Sequence, residues 1–150
     1  MKSIGVKELK PDLQHLDLID LLSERHLLLR KIAEELWNNN SDIHISNSEW
    51  FIMARIYKKQ TTISYVTKNV DISRQAVHKF IKNLESKGLI EVMNLKNNNK
   101  EKGIRLTVLG EECYEKNEAF KATIEKKIAE KIGNKQVSFL KEILKADWEL

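Results

Sequence analysis

Cysteine occurs once in the 150 residues, at Cys113, and proline once, at Pro11. A single cysteine excludes an intrachain disulfide and any zinc site built from several cysteines, and it fits a reducing compartment. Glycine occurs five times, which together with one proline is too few turn residues for a sandwich or barrel, where a turn signal recurs about every 8 to 12 positions. No stretch approaches the roughly 18 uninterrupted apolar residues of a membrane span. The first ten residues carry charges where a signal peptide has its apolar core. The expectation is a cytoplasmic, mainly helical chain without membrane contact, and its length is that of one domain rather than of a two-lobed enzyme.

Chemistry-bearing constellations are also scarce. The four histidines, His15, His26, His44 and His78, are spread along the chain with no pair at metal-ligand spacing. No glycine-rich phosphate loop or nucleophile elbow is present, so neither an enzyme nor a cofactor nor a metal site is implied.

What is present is charge, unevenly placed. Net charge is +4. Residues 1–60 balance at zero, residues 107–150 carry a net of −1, and residues 61–106 hold nine Lys/Arg against four Asp/Glu. All of the positive excess is central, where a polyanion would bind.

Apolar spacing then divides the chain into elements. Leu13, Leu16, Leu21, Leu28, Ile32 and Leu36 predict one long amphipathic helix from Asp12 to about Trp37, ending at the Asn38–Ser41 cluster. Ser46 and Glu49 have capping-box spacing, so a second helix should run from Asn47 to Tyr57. Thr62 is placed to cap a short helix to Asn69. After Asp71 and Ile72, Ser73 caps a fourth helix with Val77, Phe80, Ile81 and Leu84 on one face and Gly88 as its stop. Two helices joined by so short a turn, the second of them basic, outline a helix-turn-helix.

From Leu89 the period changes to two. Leu89–Leu95 and Gly103–Leu106 alternate as strands, and the wholly polar run from Lys96 to Lys102 between them reads as a long hairpin loop. A basic hairpin beside a helix-turn-helix is a wing. Thr107 should cap a fifth helix to Gly133, and Asn134 a sixth that reaches Trp148. Helices outside the winged unit have more apolar surface than that unit can cover, and a twofold dimer would bury the surplus.

Arg74, Gln75, His78, Lys79 and Lys82 share the helix face opposite Val77, Ile81 and Leu84. Arg and Lys reach guanine acceptors, Gln pairs with adenine and Lys neutralises phosphate, so these side chains, with Ser73, are the candidate DNA contacts; a solvated basic face is the plain alternative. In the hairpin tip, Asn98, Lys100 and Lys102 suit phosphates or the minor groove, although asparagine runs also occur in flexible loops. Trp37, Trp50, Phe51 and Tyr57 could line a ligand pocket or simply pack a core. Cys113, on an apolar helix face, reads as a buried structural thiol ahead of a redox sensor.

From Ser46 to Gly110 the chain resembles the MarR (multiple antibiotic resistance regulator) winged-helix transcription factors. The carriers are Thr62-Ile63-Ser64-Tyr65-Val66, Ile72-Ser73-Arg74-Gln75-Ala76-Val77, Leu84-Glu85-Ser86-Lys87-Gly88-Leu89-Ile90 and Ile104-Arg105-Leu106-Thr107-Val108-Leu109-Gly110. The flanking helices match in layout. The resemblance implies a single domain over 1–150: dimerisation helices in 12–45 and 107–150, and a winged helix-turn-helix in 46–106. It also implies a homodimer on double-stranded DNA with a pseudo-palindromic operator, most relatives being repressors released by a small molecule or by thiol oxidation. Three positions depart from the family pattern. The wing's Asp-x-Arg is Asn98-Asn99-Lys100, so its internal ion pair is missing. The turn glycine is Asp71, a residue able to adopt a left-handed conformation. The small alanine of the first reading helix is Thr67. The sensing cysteine that some relatives carry near the first helix is absent. Two other classes remain open: a winged-helix protein-interaction module without specific DNA binding, and a structural or partition-type DNA binder.

Overall fold

A computed structural model of the chain describes residues 12–95 and 98–150, with only the backbone of Asn98 and Asn99. Pro11, Lys96, Asn97 and the Asn98 side chain therefore lie outside the described residues. The chain divides into two compact units, residues 1–47 and 48–150.

In the first unit, α1 runs Leu18–Asn38, with the Asp17 side chain accepting from the Asp20 amide. The helix thus starts six residues later than Leu13 and Leu16 suggested. A carboxylate at Asp17 satisfies a free amide of the first turn, whereas the segment before it makes only a turn, Leu16 N–H to the Leu13 carbonyl. The loop after α1 is tied back onto it. Trp37 is buried and donates from Nε1 to the Ile43 carbonyl at 2.8 Å, Asn38 Oδ1 accepts from the Ile45 amide, and Glu34 accepts from the Asn47 amide.

The second unit holds the rest of α2 (Asn47–Ile56), then β1 (Thr61–Thr62), α3 (Ile63–Asn69), α4 (Arg74–Ser86), β2 (Ile90–Leu95), β3 (Asn98–Leu106), α5 (Val108–Ile132) and α6 (Asn134–Lys145). The strands form one antiparallel sheet in the order β1-β3-β2. Thr62 caps α3 by accepting from the Tyr65 amide, as its hydroxyl predicted. Val66, Val77, Ile81, Leu84, Leu89, Ile90 and Ile104 are buried and form the core where α3 and α4 meet the sheet.

The wing differs from its expected shape. Most of the polar run 96–102 is strand: β3 begins at Asn98, and only Lys96 and Asn97 lie between the two strands. Pairing with β2, not an apolar alternation, makes this run a strand, and Lys100 and Lys102 on it are exposed. Glu91 faces Arg105, Val92 faces Ile104 and Asn94 faces Lys102, with the register shifting between Asn94 and Leu95. An ion pair ties the two strands, since Arg105 donates from Nε to Glu91 Oε2 at 2.9 Å.

Thr107 anchors the wing's exit. Its hydroxyl accepts from the Gly110 amide at 3.0 Å and donates to the Gly88 carbonyl at 2.6 Å, so one side chain caps α5 and holds the end of α4. Gly88 closes α4 with φ at 74°; its amide reaches the Glu85 carbonyl and the Leu89 amide reaches that of Leu84, a Schellman arrangement. Gly133, not Asn134, is the cap position between α5 and α6, and no side chain caps α6. α6 stops at Lys145, so Trp148 lies beyond it and donates from Nε1 to the Ile143 carbonyl.

Candidate nucleic-acid interface

Ser73 has extended backbone, and its Oγ accepts from the Ala76 amide at 3.2 Å, starting α4 at Arg74. The helix then has two faces. Val77, Ile81 and Leu84 are buried, while Arg74, Gln75, His78, Lys79 and Lys82 are exposed. Arg74, His78 and Lys82 follow one another at four-residue steps along one row, with Gln75 and Lys79 in the adjacent row. None of the five makes a hydrogen bond or ion pair among the described residues. The turn before the helix is made without a left-handed Asp71; among the described residues the non-glycine residues at positive φ are Lys58 and Glu149.

The structure sorts the central cations that the sequence could only count. Lys87 donates to both oxygens of Glu49, at 3.0 and 2.8 Å, and Arg105 is held by Glu91. Lys102 Nζ reaches Asn94 Oδ1 across the hairpin, and Lys100 is exposed on β3. Among the described residues of the central stretch, the exposed cations without an acidic partner include Arg74, Lys79 and Lys82 on α4, Lys68 on α3 and Lys102 on the wing.

The four aromatics read as a pocket do not share one unit. Trp37 is buried in the first, and Trp50, Phe51 and Tyr57 belong to the second. There Tyr57 stacks on Tyr114 of α5, ring centroids 4.3 Å apart, and Trp50 lies 6.5 Å from the same ring. Burial pushes the Tyr114 hydroxyl above its ordinary range, and Glu118 and Tyr57 add to the effect. Asn117, one turn further along α5, is 5% exposed, and its Oδ1 has no hydrogen-bond partner among the described residues. Tyr114 and Asn117 carry no motif in the sequence; only their spacing from Cys113 on the buried side of α5 could have pointed to them.

Cys113 is buried, and burial raises its thiol above the ordinary value, Lys116 opposing and Glu112 reinforcing the shift. Among the described residues no group of three or more His, Cys, Asp and Glu could hold a metal ion. No described helix is long and apolar enough to cross a membrane.

A capped helix pair followed by a two-stranded hairpin that packs on it defines a winged-helix protein. Its fold is that of the MarR-family transcription regulators. FabT of Streptococcus pneumoniae, solved in complex with DNA, matches with a TM-score of 0.70 at 22% identity over 84% of this chain and 89% of that one. Apo MarR of E. coli matches at 0.74 and 17% identity over 87% and 96%. MepR, which regulates the Staphylococcus aureus multidrug efflux pump MepA, matches at 0.68 and 17% over 86% and 94%. No family model and no curated protein matches the sequence.

Proposed function

We propose that the chain is a sequence-specific DNA-binding transcription regulator of the MarR family, a cytoplasmic homodimeric repressor released by a small-molecule effector. The observation that carries this reading is the exposed α4 face of Arg74, Gln75, His78, Lys79 and Lys82, which has no acidic partner among the described residues. A thirteen-residue helix is about 20 Å long and fits the width and length of a major-groove turn. Arg74, Gln75 and His78 meet base edges; Ser73, Lys79, Lys82, Lys100 and Lys102, with Asn98 on the wing, meet phosphate and the groove edge. Two copies related by a twofold axis reach successive major grooves about 34–36 Å apart, so the operator is pseudo-palindromic. The similar fold of FabT, solved with DNA, supports the assignment. The aromatic group of Trp50, Phe51 and Tyr57 with Tyr114 is the place for an effector, and Trp37 is a further candidate from the first unit.

Selection from random DNA with a salt titration tests the reading. The expected result is an enriched inverted repeat whose affinity falls about 10³-fold or more between 50 and 200 mM salt, as for six or more phosphate contacts. Weak binding with no enriched sequence and a flat salt response would favour a protein-interaction module. Cooperative coating of repeated sites would favour a partition-type binder.

A further inference from the structure

Glu49 on α2 is 3% exposed, and its carboxylate receives Lys87 Nζ at both oxygens, at 3.0 and 2.8 Å. Lys87 is the C-cap residue of α4 and lies beyond the exposed row of Arg74, His78 and Lys82. The pair therefore ties the end of the candidate recognition helix to α2. Stability alone does not account for it, because two well-packed apolar side chains serve a buried site as well as two charges do, and often better. An ion pair adds direction. Val77, Ile81 and Leu84 are buried, and α4 packs against α3 and β2, but apolar burial is non-directional. Two hydrogen bonds between one ammonium and one carboxylate accept only a narrow range of distance and angle.

We infer that Glu49, acting through Lys87, is a positioning residue for operator reading: without touching DNA it fixes the roll of α4, and base choice depends on it while general DNA affinity does not. The inference rests on the DNA-binding reading and adds to it a residue outside the interface. A helix is a stiff rod, so an anchor at its last residue sets the roll of the whole length, Arg74 included. Side-chain tips lie about 6 Å from the axis, so a roll of about 10° moves them by about 1 Å. Base contacts hold only within about 0.5 Å of their productive geometry. Contacts to phosphate are more forgiving. Coulomb attraction falls off gradually with distance, and a lysine ammonium rides on a flexible four-carbon stem that can follow a displaced phosphate. Loss of the pair therefore separates two quantities that a general loss of fold lowers together.

The experiment compares the full chain with two variants. Glu49→Met/Lys87→Met refills the site with flexible side chains that impose no direction, and Glu49→Gln keeps the side-chain size but weakens the hold on Lys87. Random-site selection with the wild-type chain supplies the operator, and affinities for it and for unrelated DNA of the same length are then measured at one salt concentration. The expected result is an operator-to-unrelated ratio that falls on the order of tenfold in the double variant, the worth of one base contact. The ratio should fall by less in Glu49→Gln, and affinity for unrelated DNA should stay unchanged in both. A wild-type ratio in the double variant, or in Glu49→Gln should the double variant not fold, would overturn the inference and leave the regulator reading standing. So would an equal loss on both DNAs, the mark of a general loss of fold. No enriched sequence from the wild-type chain would remove the regulator reading and this inference together.

Discussion

Buried charge makes the sharpest demands at the level of single residues. Glu49 is 3% exposed, and Lys87 supplies its countercharge from the end of α4, thirty-eight positions along the chain. Lys87→Met should therefore cost about 3–5 kcal/mol, because it removes the countercharge from a buried carboxylate. Pairing it with Glu49→Met should recover most of that loss in a denaturant titration, since both desolvation costs then disappear. Cys113 works in the other direction. Its raised thiol favours the neutral form in the folded chain, so its contribution to stability is complete below the ordinary thiol value of 9.0 and is lost as pH rises through the folded value. Slow alkylation of the native protein near neutral pH, with stability falling only above about pH 9, would bear this out; rapid native-state labelling would contradict the burial. Between α4 and the wing the two kinds of proposed DNA contact separate by measurement. Arg74→Ala should cost about 1–3 kcal/mol of operator binding and relax sequence preference. Lys100→Ala should weaken all sequences alike and lower the salt slope by about one.

Three helix starts were legible in the sequence, whereas those of α1 and α6 were not. Thr62, Ser73 and Thr107 each place a hydroxyl on a first-turn amide, and each was readable because one side chain and its local spacing suffice. The two-faced α4 was readable for the same reason, so the candidate interface could be named from sequence. Elements that depend on distant partners were not. β1 is two residues long and exists only because Thr61 and Thr62 pair with Ile104 and Gly103, and the polar start of β3 is strand only through pairing with β2. The Glu49–Lys87 bridge and the Tyr57–Tyr114 stack join segments whose meeting no local pattern encodes. The junction of β2 with α5 shows how tight such meetings are. A Cβ at Gly110 would lie 2.0 Å from the Leu89 carbonyl oxygen, which is backbone and cannot swing aside. At Gly103 the contact is 2.9 Å, to the Met93 side chain, which can move. Gly110→Ala should lower the unfolding free energy by about 1–3 kcal/mol or more, clearly beyond Gly103→Ala. Equal stability of the two variants would mean that the helix start can back away from the strand.

For the molecule as a whole, the decisive property is what a single chain leaves uncovered. On α6, Phe139, Leu140, Ile143 and Leu144 are 64%, 44%, 42% and 49% exposed, and Ile132 and Trp148 flank them. On α1, Leu18, Ile19, Leu22, Leu27 and Leu29 are exposed as well. That much apolar surface on adjacent turns is costly in water and marks an interface, and in the proposed regulator its partner is a second copy. In the proposed dimer, pairing would also set affinity, because once one α4 is docked the second would meet its half-site at a high effective concentration. Placing charge in the centre of the α6 face, with Leu140→Glu and Ile143→Glu together, should therefore do two things at once. Sedimentation should show a monomer, and operator affinity should fall by about 10²-fold or more, while binding to an isolated half-site stays near the wild-type value because α4 and the wing are untouched. A dimer that survives both substitutions would move the interface away from α6. A monomer that still binds the full operator at wild-type affinity would mean that one α4 and one wing supply all the contacts, and the operator would then have no need of twofold symmetry.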